Sequence, residues 1–280
     1  ILEGQEWQVK VTEHLRSADK PLVVIVGPTA SGKTGFSIEV AKHLESLGKK
    51  AEVVNGDSRH GSAGLTMTAK KAEIINGDSR QLYKYLNIGT AKVTPEEMGD
   101  VPHHLFSVVD PKDNVSIAWY KDEAYRVIDE IHARGNIPVL VGGSMLYIST
   151  VIDGLDPLPP SDPEVRKRLE KEYDEDDGWS LYDRLTQVDP DTAKNFEHQN
   201  KQYVVRALEL YEQTGVPPSQ LKKTIPPPYQ VLMFGMEWPR SQLTERIDVR
   251  TKQLLQSGWI EEVEGLVDRG YTAQDPGMKS

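Results

Sequence analysis

The chain predicts an α/β fold, a parallel sheet flanked by helices and interrupted by a small helical insertion domain. Three observations carry this reading. Apolar, strand-like runs alternate with longer amphipathic stretches through the first half, the pattern of a parallel sheet covered by helices. The run Leu22–Val26 passes into Gly27-Pro28-Thr29-Ala30-Ser31-Gly32-Lys33-Thr34 and then into an apolar-periodic segment ending near Leu47. From Asp153 the alternation gives way to Pro157, Pro159, Pro160 and Pro163, followed by charged segments of helical character.

Taken in order, Ile1 to Lys20 is polar and mixed, and reads as an N-terminal extension. Residues 21–157 read as the first part of the core, with strand Leu22–Val26, a helix to about Leu47, a further β-type run, a helix from Ser116 to Arg134 and strand Ile137–Val141. Residues 158–200, containing the acidic knot Asp174-Glu175-Asp176-Asp177, read as the helical insertion. Residues 201–280 read as a return to the core, with a helix at Gln202–Thr214, a turn at Pro226–Pro228, a strand at Gln230–Glu237 expected to rejoin the sheet, and helices from Arg240 to about Arg269. A start at Ile1, without Met, suggests a fragment.

Within 49–92 the chain repeats itself. Lys49-Lys50-Ala51-Glu52-Val53-Val54-Asn55-Gly56-Asp57-Ser58-Arg59 recurs as Lys70-Lys71-Ala72-Glu73-Ile74-Ile75-Asn76-Gly77-Asp78-Ser79-Arg80, and Thr-Ala-Lys closes both units. Two short copies cannot build a stacked array, so this is a tandem duplication and not a solenoid. One sheet position admits one copy. The second continues into Gln81-Leu82-Tyr83 and is favoured for the sheet; the first runs into Gly61-Ser62-Ala63-Gly64 and reads as a looped-out insertion or extra edge strand.

Composition excludes several classes. With 33 basic and 43 acidic residues the net charge is −10, so no global positive field gathers nucleic acid, although local basic patches can. The absence of cysteine removes disulfides, thiolate metal sites and cysteine nucleophiles, and is compatible with a reducing cytoplasm. No apolar run reaches membrane-spanning length, so no membrane association is expected.

Gly27 to Thr34 fits G-x-x-x-x-G-K-[ST] in its required strand-then-helix context. Its glycines let backbone N–H groups turn toward a polyphosphate, Lys33 supplies a point charge and the Thr34 hydroxyl can ligate Mg²⁺. The following helix adds the positive end of its dipole. The fold is therefore P-loop NTPase-like, of the nucleotide- and ATP-binding type. The loop alone leaves kinases, nucleotide hydrolases and transferases of pyrophosphate-bearing groups open. His103 and His104, adjacent on an extended segment, point to opposite faces and read as structural or RNA-adjacent, not as a metal site. Arg246 and Arg250 share a helix face that can meet phosphates, though solvated charges are the simpler reading.

Six motifs in order complete the picture: Gly27–Thr34, Asp78-Ser79-Arg80-Gln81-Leu82-Tyr83, Ile88-Gly89-Thr90-Ala91-Lys92, His103-His104-Leu105, Val141-Gly142-Gly143-Ser144-Met145-Leu146-Tyr147 and Arg206-Ala207-Leu208-Glu209. Together they resemble the tRNA dimethylallyltransferases over roughly residues 20 to 280. The resemblance implies transfer of a dimethylallyl group from dimethylallyl pyrophosphate to N6 of adenine 37 in the tRNA anticodon loop. It implies Mg²⁺ as cofactor, a cytoplasmic monomer, and Asp78 as the base, with Lys33 and Thr34 serving the leaving pyrophosphate. Gln81 carries the donor and acceptor that read an adenine edge. By the same resemblance tRNA is contacted by Asp78, Ser79, Arg80, Gln81, Ser144, Arg166, Gln202, Tyr203, Val204, Val205 and Arg206.

The sequence departs from the family pattern in places. Asp57 lies nearer the usual distance from the phosphate loop than Asp78 does, which leaves the identity of the base open. Ser144 stands for the usual Thr, Asn87 for an Asp, His198-Gln199-Asn200-Lys201 for a His-Pro-Asn-Asp stretch, and Gln202 and Tyr203 where basic residues are common, and the chain stops at Lys279-Ser280 where the family continues, so by this resemblance the C-terminus is expected to be truncated. Prenyl transfer to free adenine nucleotides, a small-molecule P-loop kinase and a non-catalytic RNA-binding product remain alternatives on sequence alone.

Overall fold

The computed structural model describes residues 6–54, 71–154, 158–221 and 227–279, with backbone alone at 48–54. The chain forms two compact units, Ile1–Ile152 with Pro227–Ser280, and Asp153–Pro226. In the first, α1 (Glu6–Ser17), β1 (Pro21–Val26), α2 (Lys33–Val54), β2 (Ala72–Asn76), α3 (Pro95–Met98), β3 (His103–His104), α4 (Ile117–Ala133), β4 (Ile137–Gly142) and α5 (Met145–Ile152) precede the second unit. The second holds α6 (Pro163–Glu175), α7 (Trp179–Val188), α8 (Pro190–Ala193), α9 (Lys201–Thr214) and α10 (Pro218–Leu221). The first unit then resumes with β5 (Gln230–Gly235), α11 (Arg240–Gln256) and α12 (Trp259–Asp268).

The strands lie in the order β3-β2-β4-β1-β5, every pair parallel. In register, Val24 faces Leu140 on one side and Met233 on the other. Every residue of β1 and β2 is buried, the expected state of a parallel strand covered on two faces, which explains the continuous apolar run of β1; β2 also buries Glu73 and Asn76. Successive residues alternate between those faces. Leu22 and Val24 pack with Tyr120, Ile128 and Ile131 of α4, while Val23 and Ile25 pack with Val40 and Leu44 of α2. The strand at Gln230 rejoins the sheet beside β1, as its sequence predicts.

Three expectations change here. The N-terminal residues are not a mere extension, because Trp7, Val11 and Leu15 of α1 bury one face on the α2 side of the sheet, with Trp7 edge-on to Phe36 at 5.2 Å. Helix α2 does not stop near Leu47; its backbone stays helical to Val54, so the start of the first repeat copy is helix where the same residues of the second copy are strand β2. The slot between β3 and β4 holds one strand, and tertiary context overrides local propensity. The rest of the first copy, including Asp57, lies outside the described residues. The third change concerns α9, which was expected to return to the core.

Helix α9 belongs instead to the second unit. Its Val204, Val205 and Leu208 are fully buried against Leu169 of α6 and Leu181 and Leu185 of α7. Asp162 caps α6 by accepting from the amides of Glu164 at 2.9 Å and Val165 at 3.2 Å, with Pro163 at the first helical position. Among the described residues no helix is long and apolar enough to cross a membrane.

Candidate active site

The carboxyl ends of β1, β2 and β4 lie side by side, the edge where parallel α/β sheets bind ligands. Beyond them opens a cavity of about 890 Å³, lined on one side by Thr29 to Thr34. The loop leads into the first turn of α2, whose N–H groups have no intrahelical partner and favour an anion. Lys33 Nζ donates to the carbonyls of Gly27 at 2.8 Å and Pro28 at 2.7 Å, folding its charge over the loop. Burial pushes its pKa down; the Asp78 carboxylate opposes this and Arg250 adds to it. The Ser31 hydroxyl is buried with no hydrogen-bond partner, a polar atom left facing into the loop region.

Two residues from beyond β5 brace the loop. Trp238 Nε1 donates to the Ser31 carbonyl at 2.9 Å, and Arg246 Nε donates to the Ala30 carbonyl at 2.8 Å. The Arg246 guanidinium also lies 4.2 Å from the centre of the Trp238 ring, a cation–π contact that fixes both. Arg250, four residues on, lines the same cavity.

At the end of β2, Asn76 shapes the turn that presents Asp78. Asn76 Oδ1 accepts from the Asp78 amide at 2.9 Å, and its Nδ2 donates to the carbonyls of Asp78 and Leu105, each at 2.9 Å. Asp78 Oδ1 accepts from the Arg80 amide at 2.9 Å. Ser144, just past β4, accepts from the Ser79 amide at 2.9 Å and donates to the Ser79 hydroxyl at 3.2 Å. These ties are possible because Gly77 and Gly142 let two backbones touch: the Gly77 amide donates to Val141 O at 2.7 Å, and a Cβ on Gly142 would overlap the Gly77 carbonyl.

The opposite wall is the segment Asn87 to Thr94 with His103 and Phe106. Gln81 Nε2 donates to the carbonyls of Thr90 at 3.0 Å and Ala91 at 3.3 Å. Lys92 Nζ donates to Tyr83 O at 2.7 Å, Ser107 Oγ at 2.8 Å and Asn87 Oδ1 at 3.1 Å. Burial lowers the Lys92 pKa to about 8, with the Glu262 charge opposing. His103 donates from Nδ1 to the Val101 carbonyl at 2.7 Å, and His104 donates from Nε2 to Glu73 at 2.6 Å, so the pair is tied structurally on two sides.

The structure gathers the sequence-predicted residues only in part. Thr29, Ala30, Ser31, Gly32, Lys33, Thr34, Asp78 and Gln81 share the large cavity, while Gly27 and Pro28 hold Lys33 through their carbonyls. Ser79 and Arg80 line a second cavity of about 380 Å³ with Tyr83, Asn114, Tyr147, Pro276 and Lys279. Ser144, just past the end of β4, bonds to Ser79 beyond the end of β2 and is not part of the cavity lining. Arg166, in the helical unit, pairs with Glu170 at 2.9 Å. Of the α9 stretch, Gln202 and Tyr203 are exposed, whereas Val204 and Val205 are fully buried. Their side chains cannot contact RNA, which corrects the sequence expectation: they face the apolar core of the helical unit. Arg206 pairs with Glu209 at 3.0 Å and donates to Pro159 O at 2.5 Å.

Sequence reasoning undervalued Arg246 and Arg250, whose four-residue spacing was the signal, placed Lys92 in a motif without giving it a role, and missed Trp238 and Glu262. Trp238 and Glu262 act on partners 207 and 175 residues away, which no local pattern encodes.

The family model described as IPP transferase matches residues 81–280, beginning just past the second repeat copy. A tRNA dimethylallyltransferase of Roseiflexus castenholzii is 39% identical over 259 residues, covering 92% of this chain and 76% of its own. One from Symbiobacterium thermophilum is 42% identical over 252 residues, covering 89% and 71%. The crystal structure of a tRNA isopentenylpyrophosphate transferase from Bacillus halodurans aligns with a TM-score of 0.57 at 35% identity, over 93% of this chain and 75% of that one. A eukaryotic dimethylallyltransferase acting on tRNA aligns with a TM-score of 0.71 at 26% identity, over 92% and 58%. Relatives this similar, over this much of the sequence, make the chain a member of the tRNA dimethylallyltransferase (IPP transferase) family.

Proposed function

We propose that this chain transfers the dimethylallyl group of dimethylallyl pyrophosphate to N6 of adenine 37 in the tRNA anticodon loop, releasing pyrophosphate, in the cytoplasm. The observation that carries the reading is one cavity that joins a phosphate loop and two arginines to Asp78, with Ile74, Val93, Phe106 and Val249 as apolar lining. The first set suits a pyrophosphate, the last an isoprenoid tail, and the carboxylate a proton.

In the reaction the allylic C–O bond breaks and its electron pair leaves with pyrophosphate, while the N6 lone pair forms the new N–C bond. The N6 proton passes to the Asp78 carboxylate. Lys33, Arg246 and Arg250 are the charges available to stabilise the departing anion. To reach it, Lys33 would exchange its two loop carbonyls for phosphate oxygens. Gln81, already facing the cavity, is the residue suited to read the adenine edge, and the base enters only once flipped out of its stack.

Mg²⁺ fits this donor set. Thr34 and Asp78 offer oxygens to the same cavity, and among the described residues no group of three His, Asp or Glu side chains gathers to cage an ion. A hard cation held by one or two protein oxygens and by substrate phosphates is the usual Mg²⁺ arrangement. When bound it would neutralise charge on the leaving pyrophosphate.

The test is a single-turnover assay with Mg²⁺, dimethylallyl pyrophosphate and an anticodon stem-loop carrying adenine 37. The chain should prenylate it, Asp78→Ala should lose about 10²–10⁴-fold in rate, and Lys33→Ala should lose activity as well. Prenylation of AMP or ATP in preference to the stem-loop, or ATP turnover without prenyl donor, would overturn the proposal.

A further inference from the structure

Helix α12 reaches the cavity wall through one carboxylate. Glu262 Oε2 accepts from the amides of Asn87 and Ile88, each at 2.7 Å, and Oε1 accepts from the Gly89 amide at 3.0 Å. Three consecutive amides turned onto one anion form a backbone nest, and charge-assisted bonds of this kind are the stronger class. The Trp259 indole presses on Gly89 so closely that a Cβ there would overlap the ring. The segment thus held is not relaxed by itself, since Ala91 sits at φ 45°, a left-handed conformation costly for a residue with a side chain.

The held segment is joined to a residue of the proposed reaction. Gln81 is tied by its amide nitrogen to the carbonyls of Thr90 and Ala91, so its orientation depends on where Asn87–Lys92 stands. The cavity thereby has two separately supported sides. The phosphate side is braced by Trp238 and Arg246, the Gln81 side by α12.

We propose that Glu262 is a positioning residue for the acceptor: by holding the Asn87–Gly89 amides it fixes the cavity wall that orients Gln81 toward adenine, and leaves the pyrophosphate side untouched. The inference rests on the transferase reading above. Its signature is a split between the two substrates that general loss of structure would not produce.

The experiment compares the full chain with Glu262→Gln, Gly89→Ala and, as control, Glu264→Gln at an exposed position of the same helix. Glutamine has a single carbonyl acceptor and turns an N–H₂ toward an amide. In Glu262→Gln, kcat/KM for the stem-loop should fall about tenfold, with KM for dimethylallyl pyrophosphate changed less than about twofold. Amide exchange at Asn87, Ile88 and Gly89 should speed up while β1 and β4 amides stay protected. Gly89→Ala, which pushes on Trp259 without touching the carboxylate, should give the same split, and serves if Glu262→Gln does not fold. Equal losses for both substrates, or unchanged exchange at residues 87–89, would overturn the proposal. If the unmodified chain makes no product, the transferase reading fails, and stem-loop affinity together with amide exchange still decides the clamp.

Discussion

Gly142 and Gly77 are where two strand ends come within touching distance, and the turn that presents Asp78 depends on it. A methyl on Gly142 would fall on the Gly77 carbonyl, a backbone atom that cannot rotate aside. Gly142→Ala should therefore cost about 3 kcal/mol, the upper part of the overpacking range, and should depress prenylation beyond the loss of folded protein because Asp78 moves with Gly77. Gly265, inside α12, has open space where its Cβ would stand, and Gly265→Ala should stabilise by about 0.5–1 kcal/mol. Urea midpoints of the two variants check both signs; a neutral Gly142→Ala would sink the close-approach argument. The pattern Val141-Gly142-Gly143-Ser144 made the glycines visible in the sequence, but their partner at Gly77 was not, since it lies on another strand.

Elements were legible wherever burial left a period. Ser116 and Arg134 were read as the ends of α4, and they are its caps, with the Ser116 hydroxyl accepting from the Trp119 amide at 3.1 Å. Helix α1 carried its signal too, as Trp7, Val11 and Leu15 recur every fourth residue, yet the intervening polar residues masked it. The duplicated segment is the opposite case, because two nearly identical stretches differ in conformation and no local rule can separate them. Among the described residues only the second copy is bonded into the sheet, so deleting residues 50–70, which joins Lys49 to Lys71, keeps every described strand pairing of β2. Shortening a connection costs little in closure entropy. The deletion should leave the rate of prenylation within about threefold and the urea midpoint unchanged or higher. Since Asp57 is removed with it, retained activity assigns the base to Asp78, and lost activity returns the role to Asp57.

On the scale of the whole first unit, one carboxylate joins parts of the sheet that the sequence keeps far apart. Glu73 in β2 is 3% exposed, and accepts from Arg134 at 2.7 and 3.1 Å, Asn136 at 2.7 Å and His104 at 2.6 Å. It thus ties β2 to β3 and to the turn between α4 and β4. A charged residue in an otherwise apolar strand gave no hint of these partners, two of them more than 60 residues away. Burial alone would raise its pKa, but the bonds from Arg134, Asn136 and His104 outweigh burial and hold it at about 2, against 4.5 for an ordinary glutamate. A carboxylate more acidic in the folded state stabilises the fold above its unfolded pKa. That contribution is complete above about pH 5 and is lost as pH falls from 4.5 through about 2, because the unfolded chain takes up the proton first. Glu73→Gln should therefore lower the urea midpoint at pH 7, with the gap to the unmodified chain constant down to about pH 5 and closing below it. Midpoints measured from pH 7 to pH 2.5 decide the matter: a gap that stays constant to the lowest pH would mean that folding leaves the Glu73 pKa unshifted, and that the three donors around it contribute shape without charge.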